Sequence, residues 1–358
     1  MNKVIFLTPT DQIGASSRYR VYQYLDYLDK DIKYEVYPFM NEETYIKFKT
    51  GKNINVILNL PSLLIRRVKL LFKITKEDIV FIHRDIIPFG PMLFERILKL
   101  KGCKLILDLD DAVYCNQIDE ISNNKNKFMY KMKYGKRFDK SIKLVDVVVC
   151  GNKFIENHVK KINDNTIIVP TVIDTNKMKI MEKVNNNILT IGWIGNPGNT
   201  GYIYRILKEI DKECSGPLNA ILIGAKKFET DEFNNIKIMF YDWNLEKEYE
   251  YLNKCDVGLM PLNKSEWSEG KCGLKLLQYM AIGKPGIASD VGVNSEIIVE
   301  DKNGWIVSDE KDWIKIIKYL QNNYEKIKPM EDYCRKFVED NYSINKWSPV
   351  INEILKNI

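Results

Sequence analysis

Two lysines and a glutamine stand at helical spacing in the last third of the chain. Lys271, Lys275 and Gln278 follow one another four and three residues apart, a spacing that lets them address one ligand from the same side of a helix. The apolar residues around them recur at the same period, which indicates a helix with one buried face. Because a helix N-terminus attracts anions, lysines placed there predict a site for a phosphorylated ligand.

The elements that must position these residues are readable from the segment 269–298. Gly283 and Pro285 end the helix, a short apolar strand follows, and Gly292 opens a turn before a second helix start that holds Asn294 and Glu296. Two helix N-termini that point at one crevice form a phosphate site. The alternative is a plain α/β unit packed in a core, which explains the apolar helix face but not the lysines that flank it.

The segment resembles the nucleotide-sugar site of glycosyltransferase family 4, the glycosyl transferases group 1, a large retaining group with the GT-B fold. Members of that family usually read E-G-F-G-L-x-x-x-E-A-M-A-x-G-x-P-V-I-A and then G-G-x-x-E-I. The chain departs at Gln278, where the family has the glutamate that holds the ribose, and at Gly270, which takes the place of the first family glutamate while Glu269 lies one residue away. The positions that match are Gly273, Leu274, Met280, Ala281, Gly283, Pro285, Ile287, Ala288, Gly292, Glu296 and Ile297.

The order of apolar runs fits the α/β architecture that the resemblance implies, namely two Rossmann-like, doubly wound domains facing a central cleft. Short apolar runs alternate with helical patterns, which is typical of parallel strands covered on both faces. We expect an acceptor-side domain at 1–175, a nucleotide-sugar-binding domain at 188–340, and a last helix at 341–358 that crosses back to the first domain. The predicted strands are 4–7, 34–38, 79–83, 104–107, 145–150, 167–169, 189–194, 220–223, 236–241, 257–260, 286–288 and 305–307.

The loop after the first strand is a second candidate for the donor site. Gly14 allows close backbone approach, and Ser16 or Ser17 is predicted to cap the helix that follows. Arg18 and Arg20 then fall in its first turn, where the helix dipole disfavours cations unless an anion is bound. The alternative is a pair of surface arginines that neutralise nearby acids. The dinucleotide fingerprint G-x-G-x-x-G is absent, which argues against a dehydrogenase.

The loop after strand 189–194 lacks the two cations with which the family binds the donor phosphates. Where the family has an arginine and a lysine, this chain has Trp193 and, roughly, Asn199 or Thr200. We expect Gly195 and Asn196 to offer backbone N–H groups to a phosphate instead, with Lys271 and Lys275 supplying the charge. An ordinary Pro-Gly turn is the alternative.

Polar residues at two strand ends of the first half predict the catalytic side. Asp110 and Asp111 follow a strand that carries Asp108, and clustered carboxylates raise one another's pKa, which suits an acid or base. His83 ends another strand and can take a proton or bind a hydroxyl. With Glu269, these residues are the predicted catalytic set; helix capping by the aspartates and a structural histidine are the alternatives.

Composition narrows the partners and the location. The net charge of +6 suits an anionic substrate or membrane surface better than it indicates nucleic acid, and two histidines with seven scattered cysteines predict neither a metal site nor a disulfide framework. Without a recognisable signal peptide we expect a cytoplasmic protein. The basic, amphipathic segments 60–76 and 125–143 are suited to peripheral contact at the inner face of the membrane, with a solvated helix face as the alternative.

These patterns together predict a bacterial, hexosyltransferase-type enzyme. It would move a sugar from a nucleotide-sugar to a glycan or lipid-linked saccharide in cell-surface polysaccharide synthesis. The resemblance further implies retention of the anomeric configuration, no metal and no cofactor beyond the nucleotide-sugar substrate. Two alternatives stay open at this point: a GT-B nucleotide-sugar epimerase, and a catalytically silent subunit that binds nucleotide-sugars.

Overall fold

The computed structural model describes residues 3–49, 53–88, 92–115, 135–181, 188–214 and 216–358. Residues 125–134, the first part of the second predicted membrane segment, lie outside these ranges. The chain divides into two compact units. The first unit contains Met1–Val172, Gly270–Cys272 and Ile344–Ile358, and the second contains Ile173–Glu269 and Gly273–Ser343.

The first unit is built on a parallel sheet of six strands in the order β2-β1-β3-β4-β5-β6. All five residues of β3 are buried, as expected for a strand with helices on both faces. The strands are β1 (Val4–Thr10), β2 (Tyr34–Met40), β3 (Ile79–His83), β4 (Lys104–Leu109), β5 (Val147–Cys150) and β6 (Thr166–Ile168). The α-helices are α1 (Ala15–Arg20), α2 (Glu42–Lys49), α3 (Asn53–Lys73), α4 (Leu93–Leu100), α5 (Arg137–Leu144) and α6 (Lys153–Val159).

The last helix of the chain, α14 (Ile344–Asn357), belongs to the first unit. Its apolar residues Ile344, Ile351 and Leu355 follow one another at helical spacing and join the buried core that also contains Val4 and Phe6 of β1. The helix therefore covers one face of the first sheet.

The second unit holds another parallel six-stranded sheet, in the order β12-β11-β10-β7-β8-β9. Its strands are β7 (Thr190–Ile194), β8 (Leu218–Ile223), β9 (Ile236–Tyr241), β10 (Val257–Met260), β11 (Gly286–Ser289) and β12 (Gly304–Val307). Its α-helices are α7 (Thr200–Glu213), α8 (Glu248–Asn253), α9 (Glu266–Glu269), α10 (Leu274–Ala281), α11 (Asn294–Ile297), α12 (Glu310–Asn322) and α13 (Met330–Tyr342). No helix in the described ranges is both long enough and apolar enough to cross a membrane.

The twelve predicted strands are confirmed, three of them, β3, β9 and β10, with the predicted bounds. Others differ at their ends. β1 runs on to Thr10 and β4 to Leu109, because pairing with β2 and β5 continues past the last apolar run of each strand. The register of β3 on β4 sets His83 directly beside Asp108, and this pairing organises the polar end of the first sheet.

Candidate functional site

His83 lies at the centre of a polar cluster in the first unit. Its ring is fully buried, with Nδ1 2.7 Å from Oδ2 of Asp108 and Nε2 2.8 Å from Oγ of Ser16. Both ring nitrogens are thus engaged by neighbours, and the predicted direct bond from this histidine to a substrate hydroxyl is not what the structure offers. His83 is placed to act on other residues of the cluster.

The hydroxyl of Ser16 lies between that histidine and an aspartate. It donates to Oδ2 of Asp110 at 2.5 Å and lies 2.8 Å from Nε2 of His83. The other ring nitrogen, Nδ1, faces the carboxylate of Asp108. Ser16 and His83 therefore join the two aspartates in one hydrogen-bonded chain.

Asp108 and Asp110 are ionised rather than protonated. Burial alone would raise the pKa of Asp108, but the charge of Arg20 and the bonds from His83 and Arg20 lower it below its usual value. Burial likewise opposes ionisation of Asp110, and Arg84 outweighs it, so this pKa also falls. The predicted upward pKa shift is therefore wrong for both aspartates, because each carboxylate has its own cation within hydrogen-bond range.

Arg20 supplies the charge at the buried end of the cluster. The residue is 4% exposed, and its guanidinium pairs with the carboxylate of Asp108 and donates to the carbonyl of Val169 at 2.8 Å. Both sequence interpretations of this residue, a surface pair and a cation in the first helical turn, are wrong, because the short helix α1 ends at Arg20 and turns the side chain into the sheet.

Arg84 is the residue that sequence reasoning missed. It has a left-handed backbone, with φ of 64°, a strained state for a residue with a side chain that tends to occur at functional sites. From there its guanidinium reaches both aspartates, with Nε 2.5 Å from Oδ1 of Asp110 and Nη2 2.5 Å from Oδ2 of Asp111. Its backbone N–H donates to the carbonyl of Asp108, which holds the strained turn in place.

Lys271 completes the cluster from a distant part of the sequence. Its Nζ lies 2.9 Å from Oδ1 of Asp111, and its segment, Gly270–Cys272, belongs to the first unit. The helix that follows, α10, begins only at Leu274. The predicted common helical face with Lys275 and Gln278 is therefore wrong for Lys271, which precedes the helix.

Close packing accounts for the glycine that stands where the family has a glutamate. A Cβ at Gly270 would lie 2.4 Å from Cβ of Ala112 and 2.8 Å from its backbone nitrogen, so any side chain there would force the backbone apart. The amide of Asn152 donates to the Gly270 carbonyl at 3.0 Å, and the Cys272 thiol contacts the Asp110 carbonyl at 3.1 Å. The segment is fixed against the strand that carries the aspartates.

The loop between β1 and α1 differs from its prediction. Neither serine caps the helix: Gly14 is the N-cap residue without a side-chain bond, Ser17 bonds the hydroxyl of Thr10 at 2.9 Å, and Ser16 serves His83. A Cβ on Gly14 would lie 1.9 Å from Oγ1 of Thr10, so the close approach is to the protein's own strand. Arg18 is half-buried and donates to the Gln12 carbonyl at 3.3 Å.

The second unit carries the segment that predicts donor binding. Gly273 stands at the N-cap of α10 with a positive φ of 69°, and a Cβ there would lie 2.2 Å from Cδ1 of Ile297 in α11. Glycine is therefore required for two reasons, the left-handed turn and the close approach of α11. The start of α10 is held tightly against α11, as the predicted helix-start site requires.

The side chains of that segment do not share the single exposed face that their spacing predicts. Lys275 places Nζ 4.6 Å from the centre of the Trp193 ring, a cation–π contact. Gln278 is buried, so it does not share an exposed face with the lysine. Asn294 is fully buried, donates to the Ser289 carbonyl at 3.0 Å, and leaves its Oδ1 without a hydrogen-bond partner. Glu296 is exposed.

Two residues of the second unit that were predicted to contact the substrate form hydrogen bonds within the protein instead. The N–H of Gly195 donates to the carbonyl of Ile223 at 3.0 Å, so the prediction that it binds a phosphate is wrong; Asn196 follows it outside the strand. Glu269 accepts from the N–H of Gly292 at 2.9 Å. Since Gly292 has a positive φ of 59°, this carboxylate holds the turn before α11.

Among the described residues, no group of three or more His, Cys, Asp or Glu side chains is placed to hold a metal ion.

Comparison with known proteins agrees with the resemblance read from the motif. Residues 185–323 match the family model of the glycosyl transferases group 1. This match, which covers less than half of the chain, supports a protein of the glycosyl transferases group 1 type. A relative, the uncharacterized glycosyltransferase MJ1069 of Methanocaldococcus jannaschii, is 24% identical over 93% of this chain and 92% of its own length.

Solved structures agree on the fold. The chain is similar to Anabaena Alr3699/HepE, crystallised in complex with UDP-glucose, with a TM-score of 0.69 and 14% identity over the whole of both chains. It is also similar to a sucrose-phosphate synthase from Thermosynechococcus elongatus, with a TM-score of 0.65 and 10% identity over 99% of this chain and 98% of that one. The predicted α/β class, with two parallel six-stranded sheets, is confirmed.

Proposed function

We propose that the protein is a retaining hexosyltransferase that moves a sugar from a nucleotide-sugar to a hydroxyl group of a glycan or lipid-linked saccharide. The observation that carries the proposal is the match of residues 185–323 to the glycosyl transferases group 1. The crystal complex of the similar Anabaena protein makes UDP-glucose the first donor to test. Cell-surface polysaccharide synthesis in the cytoplasm of a bacterium is the proposed setting.

The second unit supports the donor side of this proposal. The start of α10 after Gly273 combines the backbone N–H groups of a first helical turn with Lys275, whose ammonium suits a diphosphate. The orphaned Oδ1 of Asn294 is a buried acceptor without a partner, and a donor hydroxyl would satisfy it. Glu296 and Gln278 remain proposed nucleotide contacts, Gln278 through its amide in place of a carboxylate.

The first unit supports the acceptor side. Because the pKa of Asp110 is lowered, this carboxylate is a weak base that can accept a hydrogen bond from the attacking hydroxyl more readily than it can remove the proton. In the transfer, the hydroxyl oxygen bonds to the anomeric carbon, the bond from that carbon to the diphosphate breaks, and the proton passes to the leaving diphosphate. Arg84, Ser16 and His83 position the carboxylate for this role.

The role proposed for Lys271 changes with its partner. Its ammonium is ion-paired with Asp111, so a diphosphate would have to share or displace that carboxylate. Gly14 and Arg18 stay weaker proposals, since one packs on Thr10 and the other donates to Gln12. Glu269 is proposed to orient the Gly292 turn rather than to touch the reacting carbon.

The test is a donor and acceptor assay with the full chain. We expect UDP-glucose binding by calorimetry, and transfer to a saccharide acceptor whose product keeps the donor's anomeric configuration by NMR. Asp110→Asn should lower turnover by up to about 100-fold, the effect of a misplaced reactant, while the donor dissociation constant changes little. Activity should persist in EDTA.

Three outcomes separate the alternatives. Donor binding without transfer to any acceptor would favour a silent binding subunit, for which the engagement of Glu269 by Gly292 is the supporting observation. Conversion of the free nucleotide-sugar without acceptor would indicate an epimerase. Loss of transfer in EDTA that magnesium or manganese restores would contradict the metal-independent mechanism.

A further inference from the structure

Helix α3 has one face fixed to the first sheet. Leu63, Leu70 and Ile74 are buried beneath it, and Arg67 between them donates to the carbonyls of Thr8 at 3.1 Å, Tyr37 at 2.7 Å and Ile86 at 3.1 Å. This buried guanidinium binds the helix to the ends of three chain segments. The opposite face of α3 is consequently held outward in a defined orientation.

That outward face carries large apolar side chains. Ile65 is 54% exposed, Val68 43% and Phe72 83%. Leu100, the last residue of α4, is 88% exposed. Apolar side chains this exposed are ordinary when scattered singly but indicate a binding surface when they gather at one place.

Two contacts bring the ends of α3 and α4 together. Nζ of Lys101 donates to the carbonyl of Leu71 at 2.6 Å, and the thiol of Cys103 contacts the carbonyl of Thr75 at 3.2 Å. Phe72 and Leu100 are each one residue away from the first of these contacts. The corner formed by Ile65, Val68, Phe72 and Leu100 is called the apolar corner below.

The charge on helix α3 has one sign. Helix α3 contains four cations and no acidic residue. Three of the cations, Arg66, Lys69 and Lys73, are exposed, and within the described ranges none of the three forms an ion pair. On a helical projection they fall together beside the stripe of Ile65, Val68 and Phe72.

We propose that the apolar corner docks on an anionic lipid surface. Exposed aromatic and aliphatic side chains enter the boundary between headgroups and acyl chains, and exposed lysines and arginines beside them bind anionic headgroups. Protein interfaces are by contrast depleted in lysine. The surface does not depend on the transfer reaction, so its test is separate from that of the proposed function.

The experiment is vesicle flotation with the full chain. We expect binding to vesicles of phosphatidylcholine mixed with phosphatidylglycerol, weak binding to phosphatidylcholine alone, and release by salt. Lys69→Gln combined with Lys73→Gln should weaken binding about 25-fold, at about fivefold for each charge near the surface. Phe72→Ser combined with Leu100→Ser should weaken it at least about tenfold.

Matched controls come from exposed residues of the second unit. Lys212→Gln on α7 and Tyr319→Ser on α12 remove the same types of side chain and should leave binding unchanged. All of these variants alter exposed positions, and unchanged circular dichroism and donor affinity would show that each one folds.

Four results would overturn the proposal. They are absence of binding to anionic vesicles, equal binding to neutral and anionic vesicles, equal losses in the controls, and a dimer in solution that Phe72→Ser dissociates. The last result would assign the corner to a second copy of this chain. Each can be obtained whether or not any sugar is transferred.

Discussion

The polar cluster of the first unit and the donor segment of the second differ in how their polar and charged groups are partnered. In the first unit, Asp108, Asp110 and Asp111 meet Arg20, Arg84 and Lys271 within hydrogen-bond distance. In the second, the start of α10 combines backbone N–H groups, one lysine over an indole ring, and an asparagine with an orphaned oxygen. In the first arrangement each carboxylate has a cationic partner, whereas the second leaves a buried acceptor, Oδ1 of Asn294, without a hydrogen-bond partner.

Because of this difference, we expect mutations in the first region to lower stability and mutations in the second to lower ligand affinity. A residue removed from the cluster leaves a buried charge without its partner, which costs folding free energy whether or not substrate is present. When a residue is removed from the donor segment, the folded protein stays nearly as stable, but it binds the ligand less tightly. Stability and affinity measured on the same variants therefore test the comparison directly.

The largest expected effect is on stability, from Arg20→Met. The change removes the buried partner of Asp108 and leaves that carboxylate uncompensated, so the free energy of unfolding should fall by about 3–5 kcal/mol. Urea unfolding followed by circular dichroism measures it. Lys275→Met is the control and should cost less than about 1 kcal/mol. Equal losses in the two variants would contradict the contrast between the regions.

Glu95 tests whether a cationic partner, rather than burial, determines how a buried carboxyl of the first unit affects stability. This buried carboxyl forms no ion pair among the described residues; burial raises its pKa to about 7 from 4.5, and the charge of Asp85 adds to the shift. An acid with a raised pKa in the folded state gives up its proton first in the unfolded chain, so stability falls as the pH rises from about 4.5 to 7.

Glu95→Gln should remove that fall. Above pH 7 the variant should be more stable than the parent by about 3 kcal/mol, the free energy of the shift, and the two should converge below pH 4.5. Urea unfolding at a series of pH values decides this. Asp108→Asn is the opposite control, because its partnered carboxylate stabilises the fold when ionised and its loss should destabilise at neutral pH. A variant of Glu95 less stable than the parent at pH 8 would sink the prediction.

The third prediction concerns the donor segment. Lys275→Met should weaken UDP binding by about 1.5–3 kcal/mol, the range for hydrogen bonds to charged groups, with little change in stability. Lys271→Met should weaken it less, since the Lys271 ammonium is already neutralised by Asp111. Calorimetry with UDP measures both. A larger loss at Lys271 would mean that the diphosphate displaces Asp111, and unchanged affinity in both variants would remove the lysines from the donor site.

Sequence patterns predicted what depends on neighbouring residues and missed what depends on distant ones. Central strands such as β3 and β10 follow from apolar runs because all their residues are buried, and Gly273 follows from its turn. Ser16 meets His83 across 67 positions, which no periodicity encodes. The left-handed backbone of Arg84 is likewise invisible in its residue type, because arginine rarely adopts it.

Helical spacing also failed in an instructive place. Three- and four-residue steps put Lys271, Lys275 and Gln278 on one face only if all three lie in one helix. The helix begins three residues after Lys271, at Leu274, and Gln278 is buried. Gly273 is the N-cap residue with a left-handed backbone, and its close approach to Ile297 is a contact that helical spacing does not encode.

The smallest expected effect on stability comes from Ser16→Ala, and it separates positioning from packing. The change removes the hydroxyl that joins His83 to Asp110, and it should cost about 1 kcal/mol of folding free energy, the value of one ordinary hydrogen bond. Ser17→Ala is its matched control, since Ser17 stands on the same helix and bonds Thr10 instead. Both variants should lose similar stability, but only Ser16→Ala should lower turnover at unchanged donor affinity, because only that change breaks the link between Asp110 and His83. Turnover that falls equally in both variants, or in neither, would show that the bonds among Ser16, His83 and Asp110 maintain the fold and do not serve the reaction.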